Sequence, residues 1–294
     1  MIETEWLKRL RSRTGTELLG DDAAVIGDTI ITVDMLTEGI DFLLGEVDPQ
    51  WIGRKALAVN LSDIAAMGGI PTSIVVAVAL PKSEGIQLAE QLYNGMEPLL
   101  RKYSLTLAGG DTNTWNQGLV ISITVLGRVT PQGVLRRGGG KPGDQILVTG
   151  LLGGSILEHQ FLFEPRIFEA LYLNEHFNLH AAIDISDGFS LDLHRLSVES
   201  GLGATVYEKS IPVSPAAVQL SQQTGRTPLE HALSDGEDFE LLLAVPPEEA
   251  EKLLALQPLR KRFNVTLYPV AELTPEPGLR FTDGTVLCPQ GFEH

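Results

Sequence analysis

Residues 51–69, WIGRKALAVNLSDIAAMGG, constrain this chain more than any other stretch. The spacing predicts one helix. Asp48 is an N-cap residue type, Pro49 suits the first helical position, and Gly68 and Gly69 stop the helix with Pro71 just beyond. Its middle is small and apolar: Ala56, Leu57, Ala58, Val59, Leu61, Ile64, Ala65 and Ala66. Asn60 and Asp63 are set into that run three residues apart, hence on one face. A carboxylate there loses hydration and needs a partner. No Lys or Arg lies one turn away on that face, so either a distant basic residue or a cation supplies it. Taken alone, the stretch also fits an Asp at the solvent edge of a core helix.

The rest of the chain narrows the choice. Its 294 residues, 43% hydrophobic, suffice for a large core and fit two domains better than one. A formal net charge of -16 argues against nucleic acid and anionic membrane as partners. Cys288 is the single cysteine, so an intrachain disulfide or multi-cysteine metal site is impossible; the expectation is a buried small residue in a reducing cytoplasm. Residues 1–14, MIETEWLKRLRSRT, read as a charged amphipathic helix and not as a signal peptide. Apolar runs such as 74–80 fall far short of the ~20 residues a membrane span needs. A soluble intracellular protein is expected.

Patterning predicts strands at 23–26, 29–33 (ending at Asp34), 74–80, 105–108 (running into Gly109-Gly110-Asp111) and 119–129. Ile86, Leu88, Leu92, Met96, Leu99 and Leu100 predict a helix over 83–103. Composition changes at RRGGGKPG, 136–143, which sets the boundary between domains 1–134 and 135–294. The second half is expected to hold strands at 146–149, 182–185, 241–245 and 265–270, and helices near 166–176, 190–200, 215–224 and 247–256. Asp283-Gly284 marks a hairpin turn. The fold class is α+β: two α/β domains with mixed sheets.

Acidic residues recur at element ends beside small residues: Asp21, Asp22, Asp34, Asp63, Asp111, Asp184 and Asp187, with Asp235, Glu237 and Asp238 as a later cluster. Any one is ordinarily a turn or cap residue. Together, at neighbouring strand ends, they would converge and repel, and hard cations relieve such repulsion. Oxygen-only ligands suit Mg²⁺ or Ca²⁺ over zinc. An acidic protein holding several hard cations has an economical use for them in binding phosphates. Gly109-Gly110 and Gly138 to Gly140 would let backbone N–H groups approach phosphate oxygens, and Arg137 could pair with their charge. Neither G-x-x-x-x-G-K-[ST] nor G-x-G-x-x-G occurs, and RRGGGKPG alone also fits a flexible linker. His176 and His180 are four apart without H-E-x-x-H and fit an ordinary exposed helix. His159, His194 and His231 read as structural, no G-x-S-x-G elbow occurs, and Arg260-Lys261-Arg262 reads as a solvated face.

GDDAAVI at 20–26, TVDMLTEGIDF at 32–42, KALAVNLSDIAAMGG at 55–69, AGGDTN at 108–113, LRRGGGKPGD at 135–144, AIDISDG at 182–188, DGEDFELL at 235–242 and GFEH at 291–294 occur in this order over nearly the whole chain. In this the sequence resembles the thiamine-monophosphate kinases; NLSD, GGD and ISDG alone mark the wider AIR synthase-like superfamily. The resemblance implies two α/β domains, the N-terminal ones pairing their sheets across a homodimer, with ATP in the cleft between domains. It implies ATP-dependent phosphorylation of thiamine phosphate to thiamine diphosphate with several Mg²⁺ ions. It implies metal ligands at Asp22, Thr32, Asp34, Asp63, Asp111, Asp184 and Asp187. ATP contacts would fall to Gly110, Asp111, Arg137 and Ser186, and substrate contacts to Asp41, Glu237 and Phe292.

The chain departs from the family pattern in places. Thr32-Val33-Asp34 stands for Ser-Thr-Asp, so only a carbonyl is available at Val33; Asp41 replaces the usual His; Asp235 replaces a Gly; and Thr112-Asn113 follows GGD where a second Thr is common. The inferred acceptor is a phosphate oxygen, which needs no general base, and none is evident. Transfer then rests on alignment and charge neutralisation, with metal-bound Asp63 and Asp111 central. Two rivals remain. One is another ATP-using superfamily member, although the reactive N-terminal Cys of selenophosphate synthetase and the terminal Cys of the hydrogenase-maturation protein have no counterpart here. The other is a non-catalytic, cation-dependent nucleotide-binding protein.

Overall fold

The computed structural model describes residues 2–292 apart from positions 17 and 84, so the last two residues of GFEH lie outside the described residues. The first half runs α1 (Ile2–Thr14), β1 (Ala24–Ile26), β2 (Thr29–Thr37), α2 (Pro49–Ala66), β3 (Ile70–Pro81), α3 (Gly85–Lys102), β4 (Thr106–Trp115) and β5 (Val120–Arg128). The second half begins β6 (Gln145–Thr149), α4 (His159–Leu162), α5 (Ile167–His176), β7 (Ala181–Asp184), α6 (Phe189–Glu199) and β8 (Gly203–Val206). It continues α7 (Pro215–Thr224), α8 (Pro228–Ser234), β9 (Leu241–Val245), α9 (Pro247–Leu256), α10 (Pro258–Phe263), β10 (Leu267–Thr274), β11 (Gly278–Phe281) and β12 (Val286–Leu287).

Each half builds one mixed sheet, in the orders β1-β2-β5-β3-β4 and β12-β11-β8-β10-β6-β9-β7. The β3–β4 and β8–β11 pairs are parallel and the remaining pairs antiparallel. No helix among the described residues is long and apolar enough to cross a membrane.

Helix α2 is the spine between the sheets. Asp48 caps it, accepting from the Gln50 N–H at 2.9 Å, and Gly68 lies beyond its end at φ +61°. Its apolar residues share one core with Ile30, Ile74, Ile121 and Ile123 of the first sheet and Leu147, Leu243 and Leu267 of the second. The second sheet also buries its other face: Ile146, Val148, Leu242 and Ala244 pack with Phe189, Leu193 and Leu196 of α6. Alternation along β6 and β9 therefore serves two cores at once. Among the described residues no second layer covers the first sheet. Val33, Met35, Val75 and Leu107 are exposed on it.

Several strands outrun their sequence-based limits. β2 does not end at Asp34 but continues to Thr37, because β5 pairs with it without interruption from Thr29↔Arg128 to Thr37↔Val120. β4 takes in Gly109-Gly110-Asp111, which pair with Val75, Val76 and Ala77, so this motif is strand and not the loop after one. β10 begins at Leu267 and runs to Thr274, held by β6 and then β8. The Asp283-Gly284 turn joins the antiparallel pair β11 and β12, as its residues predict, whereas β8, α4, α8 and α10 have no counterpart in the sequence-based expectations. Cys288 is exposed, contrary to the expectation of burial, because it follows the two-residue edge strand β12 on a surface segment. His180 is not on the helix of His176; α5 stops at His176, and His180 pairs with Asp144 at 2.8 Å. Arg262 in α10 lies over the rings of Tyr172 and Phe263 and is not simply solvated.

α2 and α3 meet backbone to backbone. A Cβ at Gly53 would lie 2.0 Å from the Leu92 carbonyl oxygen. Gly53→Ala is therefore expected to force the helices apart and cost about 1–3 kcal/mol, read as a lowered urea midpoint with unchanged slope.

Candidate active site

The two halves bring carboxylates together where α2 passes between them. One oxygen each from Asp22, Asp63 and Asp184 lies within 4.8 Å of the others. Asp22 precedes β1, Asp63 sits in the last turns of α2, and Asp184 ends β7 of the other sheet. The polar residues of α2 set this geometry. Ser62 donates to Asp184 Oδ2 at 2.5 Å, and the Asn60 side-chain oxygen Oδ1 accepts from the Asp34 N–H at 3.1 Å. Thr32, on β2, donates its hydroxyl to Asp63.

Charge in this cluster is poorly balanced. Arg137 donates from Nε and Nη2 to the same oxygen, Asp22 Oδ1, at 3.1 and 2.7 Å. The other oxygen, Asp22 Oδ2, is buried without a hydrogen-bond partner. Among the described residues no Lys or Arg pairs with Asp63 or Asp184. Burial drives the Asp63 carboxyl well above its usual range, Asp34, Asp184 and Asp22 add to this, and the Thr32 hydrogen bond opposes it. Asp184 is raised likewise, by burial and then by Asp22. Burial alone would lower Arg137, but Asp22 outweighs it and holds the guanidinium firmly charged.

The segment around Arg137 is anchored and not a free linker. The Arg137 N–H donates to Asp21 Oδ1 at 3.0 Å, and Arg136 pairs with Asp21. The ISDG turn is braced from α6. Asp192 accepts from the Asp187 and Gly188 N–H groups, both at 3.0 Å, and Arg195 bridges Asp187 to Asp192. Burial, then the Asp187 charge, push Asp192 up to about 7. The Ser186 carbonyl accepts from the Glu237 N–H at 2.7 Å, and the Asp187 carbonyl from the Phe292 N–H at 2.9 Å.

Glu237 pairs with Lys55, which is wholly enclosed in α2. Burial raises the Glu237 carboxyl; Lys55 opposes this, while Asp41 and Asp187 add to it. Asp41 accepts from the Thr37 N–H at 2.7 Å. Phe292 is largely exposed.

Asp22, Asp63 and Asp184 thus converge, with Thr32, Asp34 and Arg137 around them. Gly110 and Asp111 stand apart on exposed edge strand β4. Register places Asp111 on the face of Ala77, Ser122 and Met35, whereas Asp34 shares the other face with Ile123. Lys55, Asp192 and Arg195 escaped the sequence reading. A lysine amid Ala and Leu was the available signal for the first; the other two look like ordinary surface-helix charges until folded.

The family model for the AIR synthase related protein N-terminal domain matches residues 20–129, and that for the C-terminal domain matches residues 141–284. The thiamine-monophosphate kinase of Rhodopirellula baltica is 45% identical over 267 residues, 85% of this chain and 84% of that one. The crystal structure of thiamine-monophosphate kinase from Stenotrophomonas maltophilia K279a superposes with a TM-score of 0.79 at 30% identity, covering 95% of this chain and 96% of that one. AaThiL complexed with AMPPCP and TMP shares the fold, with a TM-score of 0.85 at 24% identity over 99% of this chain and 96% of that one. The chain belongs to the AIR synthase related proteins and, among them, to the thiamine-monophosphate kinases.

Proposed function

We propose that this chain transfers the γ-phosphoryl group of ATP to thiamine phosphate, yielding thiamine diphosphate and ADP. The observation that carries this reading is the three-carboxylate pocket drawn from both halves, with Asp22 Oδ2 buried and unsatisfied, in a chain 45% identical to a named thiamine-monophosphate kinase. A buried oxygen without a donor costs about 1–3 kcal/mol or more unless something takes its lone pairs. A hard divalent cation does so, and an all-oxygen donor set fits Mg²⁺. Asp22, Thr32, Asp34, Asp63, Asp184 and Asp187 would hold several such ions, and Asp111, on the other face of the first sheet from Asp34, would not share them. When bound, Mg²⁺ supplies the positive charge that lets two phosphate-bearing anions meet.

The protein's own groups do the placing. Arg137 offers a partly buried guanidinium at the cluster, Ser186 lies on the braced ISDG turn, and Gly110 with Asp111 is open to a nucleotide from β4. Asp41, Glu237 and the Phe292 ring are the groups assigned to thiamine phosphate; carboxylates and an aromatic face suit its cationic ring. The acceptor oxygen is already anionic near neutral pH, so transfer needs alignment and no general base. In this reading residues 1–134 hold metal and nucleotide and make the dimer, residues 135–294 close the cleft, and the enzyme works in the cytoplasm. The charge of -16 and the single cysteine agree with that compartment. Two copies pair through the uncovered sheet face, where Val33 and Met35 are each 62% exposed.

Asp63→Asn is expected to lower kcat/KM by about 10²-fold or more with the fold intact; unchanged turnover favours a non-catalytic nucleotide-binding protein. A carboxyl raised in the folded state binds protons better folded than unfolded, so it destabilises the metal-free protein at neutral pH and less so as pH falls. The Asn variant should accordingly unfold at higher urea than the parent at pH 8 in chelator, with the gap narrowing toward pH 5. Isotope chirality at the transferred phosphorus should show inversion; retention would mean a phosphoenzyme. Met35→Glu should halve the mass seen by analytical ultracentrifugation, and an unchanged mass would place any dimer elsewhere.

A further inference from the structure

Lys55 is the largest fully buried side chain type that carries a charge on α2, and none of the groups placed at the phosphates uses it. Its ammonium pairs with Glu237, donates to Gln160 Oε1 at 2.8 Å, and lies 5.0 Å from the centre of the Phe161 ring. The two partners of the pair differ in exposure: the Lys55 side chain is 0% exposed and that of Glu237 34%. The carboxylate is therefore fastened from behind and open in front.

Its backbone is fastened too. Glu237 and Phe239 both take left-handed φ, +54° and +50°, which non-glycine residues hold only when neighbours enforce it. The enforcing contacts are the Glu237 N–H to the Ser186 carbonyl, the Ser155 hydroxyl to the Gly236 carbonyl, and the Phe239 ring stacked on Phe163 at 4.0 Å. Arg54, the neighbour of Lys55, donates to the Phe161 and Phe163 carbonyls at 3.0 and 2.6 Å and locks the same segment to α2. The charges of Asp41 and Asp187 add to the upward shift of the Glu237 carboxyl that burial causes.

We propose that Lys55 is a positioning residue for the acceptor: held wholly inside the protein, it keeps the half-open Glu237 carboxylate fixed, and so sets the affinity for the cationic thiamine phosphate without taking part in phosphoryl transfer. This rests on the kinase reading above. Without the ammonium, the Glu237 carboxylate would lose its buried charge partner and swing to solvent. A cationic acceptor would then meet a mobile, hydrated carboxylate in place of a preset one.

The test is steady-state kinetics of the full chain with ATP, Mg²⁺ and thiamine phosphate. Lys55→Met keeps the volume and removes the charge. It should raise KM for thiamine phosphate about tenfold or more, with kcat and KM for ATP within about threefold. Glu237→Gln should raise the same KM, and the double variant should be no worse than the poorer single one. Should Lys55→Met fail to fold, Gln160→Met, which frees one tether of the ammonium while keeping its charge, must raise KM for thiamine phosphate by about threefold. An unchanged KM for thiamine phosphate, effects of the two single variants that simply multiply, or an equal loss in kcat and in both KM values would overturn the inference. A parent protein that leaves thiamine phosphate unconverted would overturn the kinase reading and this inference together; parent turnover without the KM shift overturns this inference alone.

Discussion

Mutual repulsion among buried carboxylates is the constraint around which the rest of the molecule is arranged. Asp22, Asp63 and Asp184 share a space 4.8 Å across, and the guanidinium of Arg137 hydrogen-bonds Asp22 Oδ1 alone of their oxygens among the described residues. Such a cluster is costly in a protein alone. It becomes favourable when a ligand brings positive charge, which is what the proposed cation-phosphate assembly would supply. The unsatisfied Asp22 Oδ2 is the most local sign of that incompleteness.

Holding repelling groups together requires a stiff frame. Helix α2 supplies it by sharing one apolar core with both sheets, so that Asp63 and Asp184, from different halves, cannot drift apart without opening that core. The three buried polar side chains on the helix each have a definite partner: Ser62 bonds Asp184, Asn60 bonds β2 and Lys55 pairs with Glu237. A second tier fixes the loops: Asp192 with Arg195 braces the ISDG turn, and Asp21 secures the Arg136-Arg137 backbone. The site is therefore preorganised from behind by residues that meet no ligand.

Much of this was legible in the sequence, and the reasons for the rest are physical. Caps and periodicity located α2 because Asp48-Pro49 and Gly68-Gly69 act locally. Strand limits were missed where pairing and not composition decided them, as at Asp34 and Gly109-Gly110-Asp111, which neighbouring strands extend through. Apolar alternation could not announce that β6 and β9 serve two cores, nor that no described element of the same chain covers the second face of the first sheet. Cys288 was misjudged because residue type outweighed its place after an edge strand. Among functional groups, acids beside glycine were visible as a pattern, but their convergence depended on long-range contacts. Lys55 was hidden because its partner lies 182 positions away in the chain.

The central claim is that the cluster is completed by divalent cations which tie it to a nucleotide's phosphates. Calorimetric titration of ATP into the metal-free protein, with and without Mg²⁺, tests that link directly. Binding should be strong with Mg²⁺ and weaker by about two orders of magnitude or more in chelator, because ATP alone would add negative charge to an already repelling site. Equal ATP affinity in the two conditions would contradict it.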